Sequence, residues 1–354
     1  MRGRLAFGTV AGLVLLGATA APGPADRLER FAEQARQHLA EPAPAGSEAG
    51  RRAVADTYAL VDAEILDSLQ SGEPFSSLAF LQERLDGFAA VWGGAVFRLI
   101  RFDRRGGAFP VTLGLFNLSG IEGSGSLRIY GWVGPTAALL TEVGGDGAPE
   151  VFDWPAPREG GARFVIGWAG AESGRGSRAL RVEVWGASRG IPPRRLWSSE
   201  AGFPDGLWAL DWSVKPGEIW VRRELRYPGW KPGCPDQAEE QLVYRAVPGR
   251  DVSLVRRQLI HGWHKDLGAA AAHLFEALSS GDRRALATLV PDRALRERLP
   301  PRLIAETGCD QPRPPAAVSV AATAEIEGRR VPWSLTWSRG ARGWRLTGAA
   351  PVLQ

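Results

Sequence analysis

The sequence predicts an α+β multidomain protein with N-terminal helices, an antiparallel all-β middle region and a C-terminal α+β domain. Three observations support this class. Apolar residues recur every three or four positions near the N-terminus, the period changes to two from Ala95, and helical spacing returns after Trp263. The 354 residues, of which 44% are apolar and 23% charged, suit two or three folded domains with a sizeable core.

The first residues have the pattern of an export signal. Arg2 and Arg4 precede the apolar run "LAFGTVAGLVLLGATA", which ends in a small-residue cleavage pattern. This order predicts a signal peptide at residues 1–20 and a mature chain that starts near Ala21. An uncleaved N-terminal anchor is the alternative, but the run is short for a membrane span. We therefore expect an exported protein, periplasmic or extracellular, with no stable membrane span after cleavage.

Residues 21–94 are predicted to form a helical region. Asp26 followed by Glu29 resembles a capping box at the start of the first helix, and Ser47 can cap the second. Pro74 helps to end that second helix, and a third follows it. Each helix has one apolar stripe, which we assign to the core of the protein rather than to a groove for a partner.

Residues 95–263 are predicted to form an antiparallel β domain. Eight β-like runs, from "VFRLIRF" to "QLVYRAV", are separated by Gly, Pro, Asp and Ser. No segment between them has a clear helical period, so parallel βαβ units are not expected. The irregular spacing leaves a propeller-like and a sandwich-like arrangement both open.

Tryptophan is the strongest anomaly of composition, with 14 residues against 4 tyrosines. Tryptophan rings fill cores, and they also stack on sugars and cations. Alternation separates these roles. In "LWALDWSV" it places Trp208 and Trp212 together on a buried face, whereas in "EIWVRRELRY" it places Trp220 and Arg222 on the wetter face.

The best candidate for a binding patch combines that wetter face with the loop that follows it. The patch is predicted to contain four residues, namely Trp220, Arg222, Arg226 and Trp230. It would take a protein or small-molecule ligand whose identity the sequence does not reveal. A contact between domains is the competing interpretation, and we favour it slightly.

The stretch "EVGGDGAPEV" resembles the calcium loop of FG-GAP and VCBS-type propeller repeats. The resemblance implies a strand, a turn and a second strand, with Glu142, Asp146 and Glu150 as metal ligands. Calcium takes six to eight oxygen ligands, and Gly144 stands at a ligand position without a side chain. A glycine turn is therefore favoured over a calcium site. No cofactor other than calcium is considered, and none is expected.

Residues 264–354 are predicted to form three short helices followed by three strands, with Trp333, Leu335 and Trp337 facing inward. This order, with "LFEALSSGDRRALATLV" at its head and "RGWRLTGAAPV" at its tail, resembles the nuclear-transport-factor-2-like α+β cone over residues 266–352. The resemblance implies a cavity used for ligands, catalysis or protein contacts. No catalytic constellation of that family is found here.

Two cysteines occur in the chain, Cys234 and Cys309, and they allow one intramolecular pairing. An oxidising compartment favours a disulfide between them. The closed loop of about 75 residues would stabilise the fold by about 4 kcal/mol in the chain-entropy argument. Two free thiols are the alternative.

Charge and motifs exclude several function classes. The net charge of +4 is dispersed in doublets, so no nucleic-acid partner is expected. No G-x-S-x-G elbow and no phosphate-binding glycine loop occurs. The pair His261 and His264 lacks a third metal ligand at suitable spacing.

The leading function is an exported, non-enzymatic binding or structural protein of the periplasm or cell envelope. The alternative is a carbohydrate-active hydrolase built on the tryptophan-rich β domain. Its acid pair would come from carboxylates near the tryptophans, and four are candidates: Asp205, Asp211, Glu218 and Glu224. The sequence singles out no two of them, because such pairs form only in the fold.

Overall fold

The computed structural model describes residues 23–352, apart from short gaps at 43, 45, 103–110, 156–161, 174–175, 189–190, 232, 235–236, 248–249, 314–316 and 327. The signal peptide predicted at residues 1–20 lies outside this part of the chain. Six helices and three antiparallel sheets in the described residues confirm the α+β class. The helices found there include none that is long and apolar enough to cross a membrane. The chain divides into two compact units between Phe97 and Arg98.

The first unit contains three helices: α1 (Pro24–Ala40), α2 (Glu48–Ser71) and α3 (Leu78–Trp92). Ser47 caps α2 as predicted, because its hydroxyl accepts a hydrogen bond from the amide of Gly50 at 3.0 Å. The start of α1 differs from the prediction. Gly23 is the N-cap, and Asp26 accepts the hydrogen bond from its amide at 3.2 Å.

The core of the helical unit combines aromatic packing with one buried carboxylate. Phe31 and Phe88 meet edge to face, with ring centroids 5.0 Å apart. Glu64 is buried, and it accepts from Arg27 at 3.0 Å and from Arg84 at 2.8 Å. Most residues of the three helical stripes are buried in this unit, as the periodicity predicts, but Leu39 and Leu78 are exposed.

Two sheets form the middle of the chain. Their strands are β1 (Val96–Phe102), β2 (Val111–Asn117), β3 (Gly125–Val133), β4 (Thr136–Gly145), β5 (Pro149–Asp153), β6 (Ala162–Glu172), β7 (Arg178–Ser188), β8 (Ile191–Ser198), β9 (Leu207–Lys215), β10 (Glu218–Glu224), β11 (Glu239–Val247) and β12 (Arg250–Ile260). The four-stranded sheet has the order β1-β2-β3-β4. The eight-stranded sheet has the order β12-β11-β10-β9-β7-β6-β5, with β8 paired to β7.

The two sheets share a buried layer. Leu113 of β2 and Ile129 of β3 lie in one cluster with Phe164 and Ile166 of β6. The four-stranded sheet therefore packs on one face of the larger sheet. One face of the larger sheet is therefore covered by the smaller sheet. Its other face carries a second core, so the larger sheet is hydrophobic on both faces.

The second core collects side chains from most strands of the eight-stranded sheet. Val182 of β7, Ile219 of β10 and Leu242 of β11 belong to one buried cluster. Trp197 of β8 contacts Tyr244 of β11, with ring centroids 5.0 Å apart, although their strands are not paired with each other.

A β-bulge in β9 corrects one prediction. The pairing of β9 with β10 shifts register at Leu210, which is left without a partner in this ladder. The shift inverts the alternation of side chains. Trp212 packs against the core as predicted, but Trp208 is 45% exposed, so the prediction that both share a buried face is wrong.

The stretch "GGDGAPEV" does not connect two strands of one sheet. It runs from β4 in the four-stranded sheet to β5 in the eight-stranded sheet. Its glycines are needed for close approach, because a Cβ at Gly145 would overlap the indole of Trp168 and one at Gly147 would overlap the carbonyl of Ala169. Gly147 also has a φ of +80°, which favours glycine. The predicted turn is present, but it is a crossing between sheets.

The C-terminal elements are α4 (Trp263–Ser280), α5 (Arg283–Leu289), α6 (Arg293–Arg298), β13 (Leu303–Ala305), β14 (Gln311–Arg313), β15 (Ala317–Ile326), β16 (Arg329–Gly340) and β17 (Gly343–Pro351). The short strands β13 and β14 both pair with β15 and were not predicted. Trp333, Leu335 and Trp337 are buried against α4, which confirms the predicted inward face of β16.

Candidate functional site

Trp220 of the predicted binding patch already has cationic partners from the protein. It lies half-buried on β10, and its neighbours Ile219 and Val221 face the core, as the alternation predicts. The Nζ atom of Lys215 lies 4.4 Å from the indole centroid, and the guanidinium carbon of Arg256 lies 4.5 Å from it. Each cation attracts the negative face of the ring. This indole is therefore not an open platform for a ligand.

The carboxylate next to this indole is also paired. Glu218 accepts from the indole nitrogen of Trp220 at 2.9 Å and from the Nε of Arg245 at 2.9 Å. The hydrogen bond from Arg245 is the main reason why the pKa of Glu218 lies below its ordinary value, and the bond from Trp220 adds to it. The Trp220 site thus contains its own cations and its own neutralised acid.

The other three residues of the predicted patch are engaged locally as well. Arg222 lies 3.4 Å from the carboxylate of Glu239 on β11. The guanidinium carbon of Arg226 lies 5.4 Å from the ring centroid of Trp230. The patch is therefore a set of three local contacts in the described structure. Its role in ligand or partner binding stays a prediction.

The three carboxylates predicted as calcium ligands are not brought together. Glu142 on β4 pairs with Arg128 at 3.0 Å, Asp146 lies in the crossing between the sheets, and Glu150 lies on β5. Among the residues with described positions, no group of three or more His, Cys, Asp or Glu side chains could hold a metal ion.

The predicted disulfide between Cys234 and Cys309 is confirmed, with Cα atoms 5.3 Å apart. A buried ion pair lies beside it. Lys231 is 6% exposed, and its Nζ donates to Asp310 at 2.7 Å and to the carbonyl of Gly308 at 2.6 Å. The covalent and the ionic contacts therefore attach the same loop to the C-terminal domain.

Asp310 of this pair has a perturbed acidity. Its burial raises the pKa, but His264 and Lys231 together outweigh that effect, so the pKa of the carboxyl lies below its ordinary value. The Nδ1 of His264 lies 3.8 Å from the carboxylate, which is longer than an ordinary hydrogen bond. The pair His261 and His264 has no third ligand here. This cluster holds the loop against the C-terminal domain.

A cleft of about 420 Å³ lies beside the bulged strand β9. Its lining comes from strands far apart in sequence: Glu150 and Phe152 of β5, Arg178 of β7, and residues 209–214 of β9. The pairing of β7 with β9 covers only three positions and begins at Arg178, the first residue of β7. The bulge and the short ladder together create the opening.

Two aromatic rings form the apolar part of the cleft. Phe152 and Trp212 meet edge to face, with ring centroids 5.5 Å apart and an interplanar angle of 88°. Gly167 of β6 lies directly beneath the indole, and a Cβ there would overlap the ring. Glycine at this position is therefore what allows Trp212 to lie across β6 and reach Phe152.

Two acidic residues, Glu150 and Asp211, belong to the lining of the same cleft. Glu150 and Asp211 are exposed, and neither forms an ion pair with any residue whose position is described. Arg178, the basic residue of the lining, is occupied by Glu172 at 2.8 Å. The cleft thus combines an aromatic wall with acids that the described chain does not neutralise.

The sequence pointed to only part of this site. Glu150 was assigned to calcium, Asp211 was one of four acidic candidates, and Trp212 was assigned to the core. Phe152 was not singled out, although "VFDW" places it two residues from Trp154 on one face of a short strand. Gly167 carries no sequence signal that separates it from other strand glycines.

A scan against protein-family models gives no match for this chain, and a search of curated proteins finds no sequence similar to it.

Proposed function

We propose that the protein is an exported, non-enzymatic binding protein of the periplasm or cell envelope, and that the cleft between Phe152 and Trp212 is its ligand site. The observation that carries the proposal is the cleft itself. Its volume of about 420 Å³ falls within the range of small-molecule sites, roughly 300–1,000 Å³. It joins two aromatic rings to a few polar groups, which is the usual composition of such sites.

Export is supported by two independent features. Residues 1–20 have the order of a signal peptide, and the single disulfide suits an oxidising compartment. A protein that folds outside the cytoplasm and presents a small cleft is well suited to capture a dissolved compound. The compound would be small and would have a face that packs on aromatic rings.

The test is a fluorescence and calorimetric titration of the full mature chain with a panel of monosaccharides, amino sugars and small amines. We expect Trp212→Ala to abolish binding. Trp208→Ala is the matched control, because Trp208 lies on the same strand, is 45% exposed and does not line the cleft. Binding that survives Trp212→Ala, or a flat response to the whole panel, contradicts the proposal.

A carbohydrate-active hydrolase is the second candidate, and one observation favours it. Glu150 and Asp211 line the same cleft next to Trp212. In such a reaction one carboxylic acid protonates the glycosidic oxygen as its bond to the sugar breaks. The other carboxylate takes a proton from the water that bonds to the anomeric carbon. Atoms and charge balance without a cofactor.

Release of reducing ends from oligosaccharides tests this second candidate. Glu150→Gln and Asp211→Asn should each lower the rate by about 10²–10⁴, the usual contribution of general acid–base catalysis. Asp205→Asn, outside the cleft lining, should leave it unchanged. Equal rates in all three variants would assign any activity to a contaminant.

We propose that the C-terminal domain belongs to the nuclear-transport-factor-2-like cone class and that side chains fill the interior of its cone. The support is the order of three helices and five strands, together with one core that α4 shares with β16. Trp333, Trp337 and Trp344 belong to that core. We therefore assign ligand binding to the β domain and an anchoring role to the C-terminal domain.

A further inference from the structure

We propose that the ligand of the Phe152–Trp212 cleft is a small organic cation carrying an ammonium group, an inference that rests on the proposed binding function. The charges of the lining are its first support. Glu150 and Asp211 form no ion pair in the described part of the chain, and Arg178 is already paired with Glu172. Arg222 lies opposite Asp211 in the ladder of β9 and β10, but its guanidinium is paired with Glu239. The acidic residues of the lining are therefore not neutralised by an ion pair, and the charge they present is negative.

The aromatic wall is the second support. A cation within about 6 Å of a tryptophan ring is attracted by the negative charge on the ring face. None of the described lysine or arginine groups lies over the indole of Trp212, whereas basic groups do lie over Trp168, Trp220 and Trp230. Trp212 thus lies beside an opening and unpaired acidic residues, and no described basic side chain covers its ring.

The Trp220 site provides an internal reference for this chemistry. There, Lys215 and Arg256 lie over the indole, and Arg245 neutralises the adjacent Glu218. The cleft contains the same kinds of group that attract a cation, namely an indole and acidic residues. The described chain places no cation over this indole. A ligand cation would complete the cleft in the same way as Lys215 and Arg256 complete the Trp220 site.

Matched pairs of probes test the charge directly. Choline is compared with its neutral isostere 3,3-dimethylbutan-1-ol, and glucosamine is compared with glucose, each titrated calorimetrically against the full mature chain. We expect at least one cationic member to bind at least about tenfold more tightly than its neutral partner, a difference of about 1.4 kcal/mol. Raising the salt to about 0.5 M should weaken only the cationic member, because salt screens exposed charges.

Isosteric variants assign the effect to the cleft. Glu150→Gln and Asp211→Asn should each reduce the preference for the cation by about threefold to tenfold, and the double variant should remove it. Asp153→Asn is the matched control, since Asp153 lies on the same strand as Glu150 but outside the cleft lining. Circular dichroism checks that each variant is folded.

The outcomes separate the inference from the function on which it rests. Equal binding of neutral and cationic members, lost in Trp212→Ala, overturns the charge inference and leaves the binding function intact. A cation preference that persists in the double carboxylate variant also overturns the inference. No Trp212-dependent binding of any member, with either charge, overturns both.

Discussion

Trp212 and Trp220 lie on the paired strands β9 and β10, yet their surroundings differ in a way that the sequence does not display. Around Trp220 the protein supplies two cations over the ring and an arginine on the neighbouring acid. Around Trp212 it supplies a second aromatic ring, a glycine beneath the indole and two carboxylates without ion pairs in the described residues. The first site is complete, and the second has room for a partner.

This difference shows that a tryptophan with charged neighbours in sequence is not by itself a binding site. The basic side chains near Trp220 contact its ring from within the protein. The sequence pattern that suggested an exposed binding residue therefore belongs to a residue that already has partners. What marks a candidate ligand site is the set of acceptors that the chain leaves unpaired beside an opening. The following four experiments test that distinction.

The largest change is expected from Gly167→Ala. The added Cβ overlaps the indole of Trp212, so the ring must leave Phe152 and the cleft must change shape. We expect a loss of about 1–3 kcal/mol in the free energy of unfolding, as in other overpacked sites, and loss of ligand binding. Urea denaturation and the choline titration measure the two effects.

The control for this substitution lies on the same strand. A Cβ at Gly170 would lie 3.6 Å from the Cβ of Ala179, which is an ordinary contact. Gly170→Ala should therefore change both measurements little. If Gly167→Ala is equally mild, Trp212 is not held over β6 in the way described here.

Trp220→Ala should cost stability without affecting binding. It removes two cation–ring contacts and the hydrogen bond to Glu218, together worth about 1–2 kcal/mol. Denaturation gives the stability change and titration gives the binding constant. A loss of ligand affinity in this variant would support the predicted patch as the binding site and contradict the distinction drawn above.

Removal of one covering cation should have a smaller effect. Lys215→Met keeps most of the side-chain bulk and removes the charge over Trp220, so we expect a loss of about 0.5–1 kcal/mol. A double-mutant cycle with Trp220→Ala isolates the pairwise energy. A coupling near zero would mean that the ring and the ammonium group are neighbours without net attraction.

The smallest effect is expected from pH at the Trp220 site. The pKa of Glu218 is lowered from the ordinary 4.5, first by Arg245 and then by Trp220. The stabilisation is therefore fully present above that ordinary value and is lost as the pH falls through the lower folded value. Glu218→Gln should flatten this acid limb of the unfolding curve, whereas the exposed Asp205→Asn should not.

Local rules predicted much of the fold, because strand alternation and helix capping depend on neighbouring residues. The buried faces of β10 and β16 followed from period two, and Ser47 was recognised as a cap. The disulfide followed from there being one possible pair. The bulge at Leu210 was not predictable, since no residue type in "LWALDWSV" demands it, and it reversed the position of Trp208.

Only parts of the candidate site could be predicted, because its residues lie on strands that are distant in sequence and come together only in the folded protein. Glu150 and Asp211 lie on β5 and β9, which are separated by three other strands in the sequence, and they line one cleft only in the folded protein. The glycines of "GGDG" were interpreted through a metal-loop resemblance. Their physical requirement is the close approach of the crossing to β6, which the sequence does not state.

The scarcity of lysine makes the buried Lys231 a built-in reporter of domain attachment. The chain has three lysines, and their environments differ: Lys231 is buried on Asp310, Lys215 covers an indole, and Lys265 is exposed. An amine-acylating reagent should therefore modify Lys265 readily and leave Lys231 unmodified while the disulfide loop stays attached. The fraction of chains whose mass shows acylation at Lys231 would therefore measure how often the contact between the disulfide loop and the C-terminal domain opens.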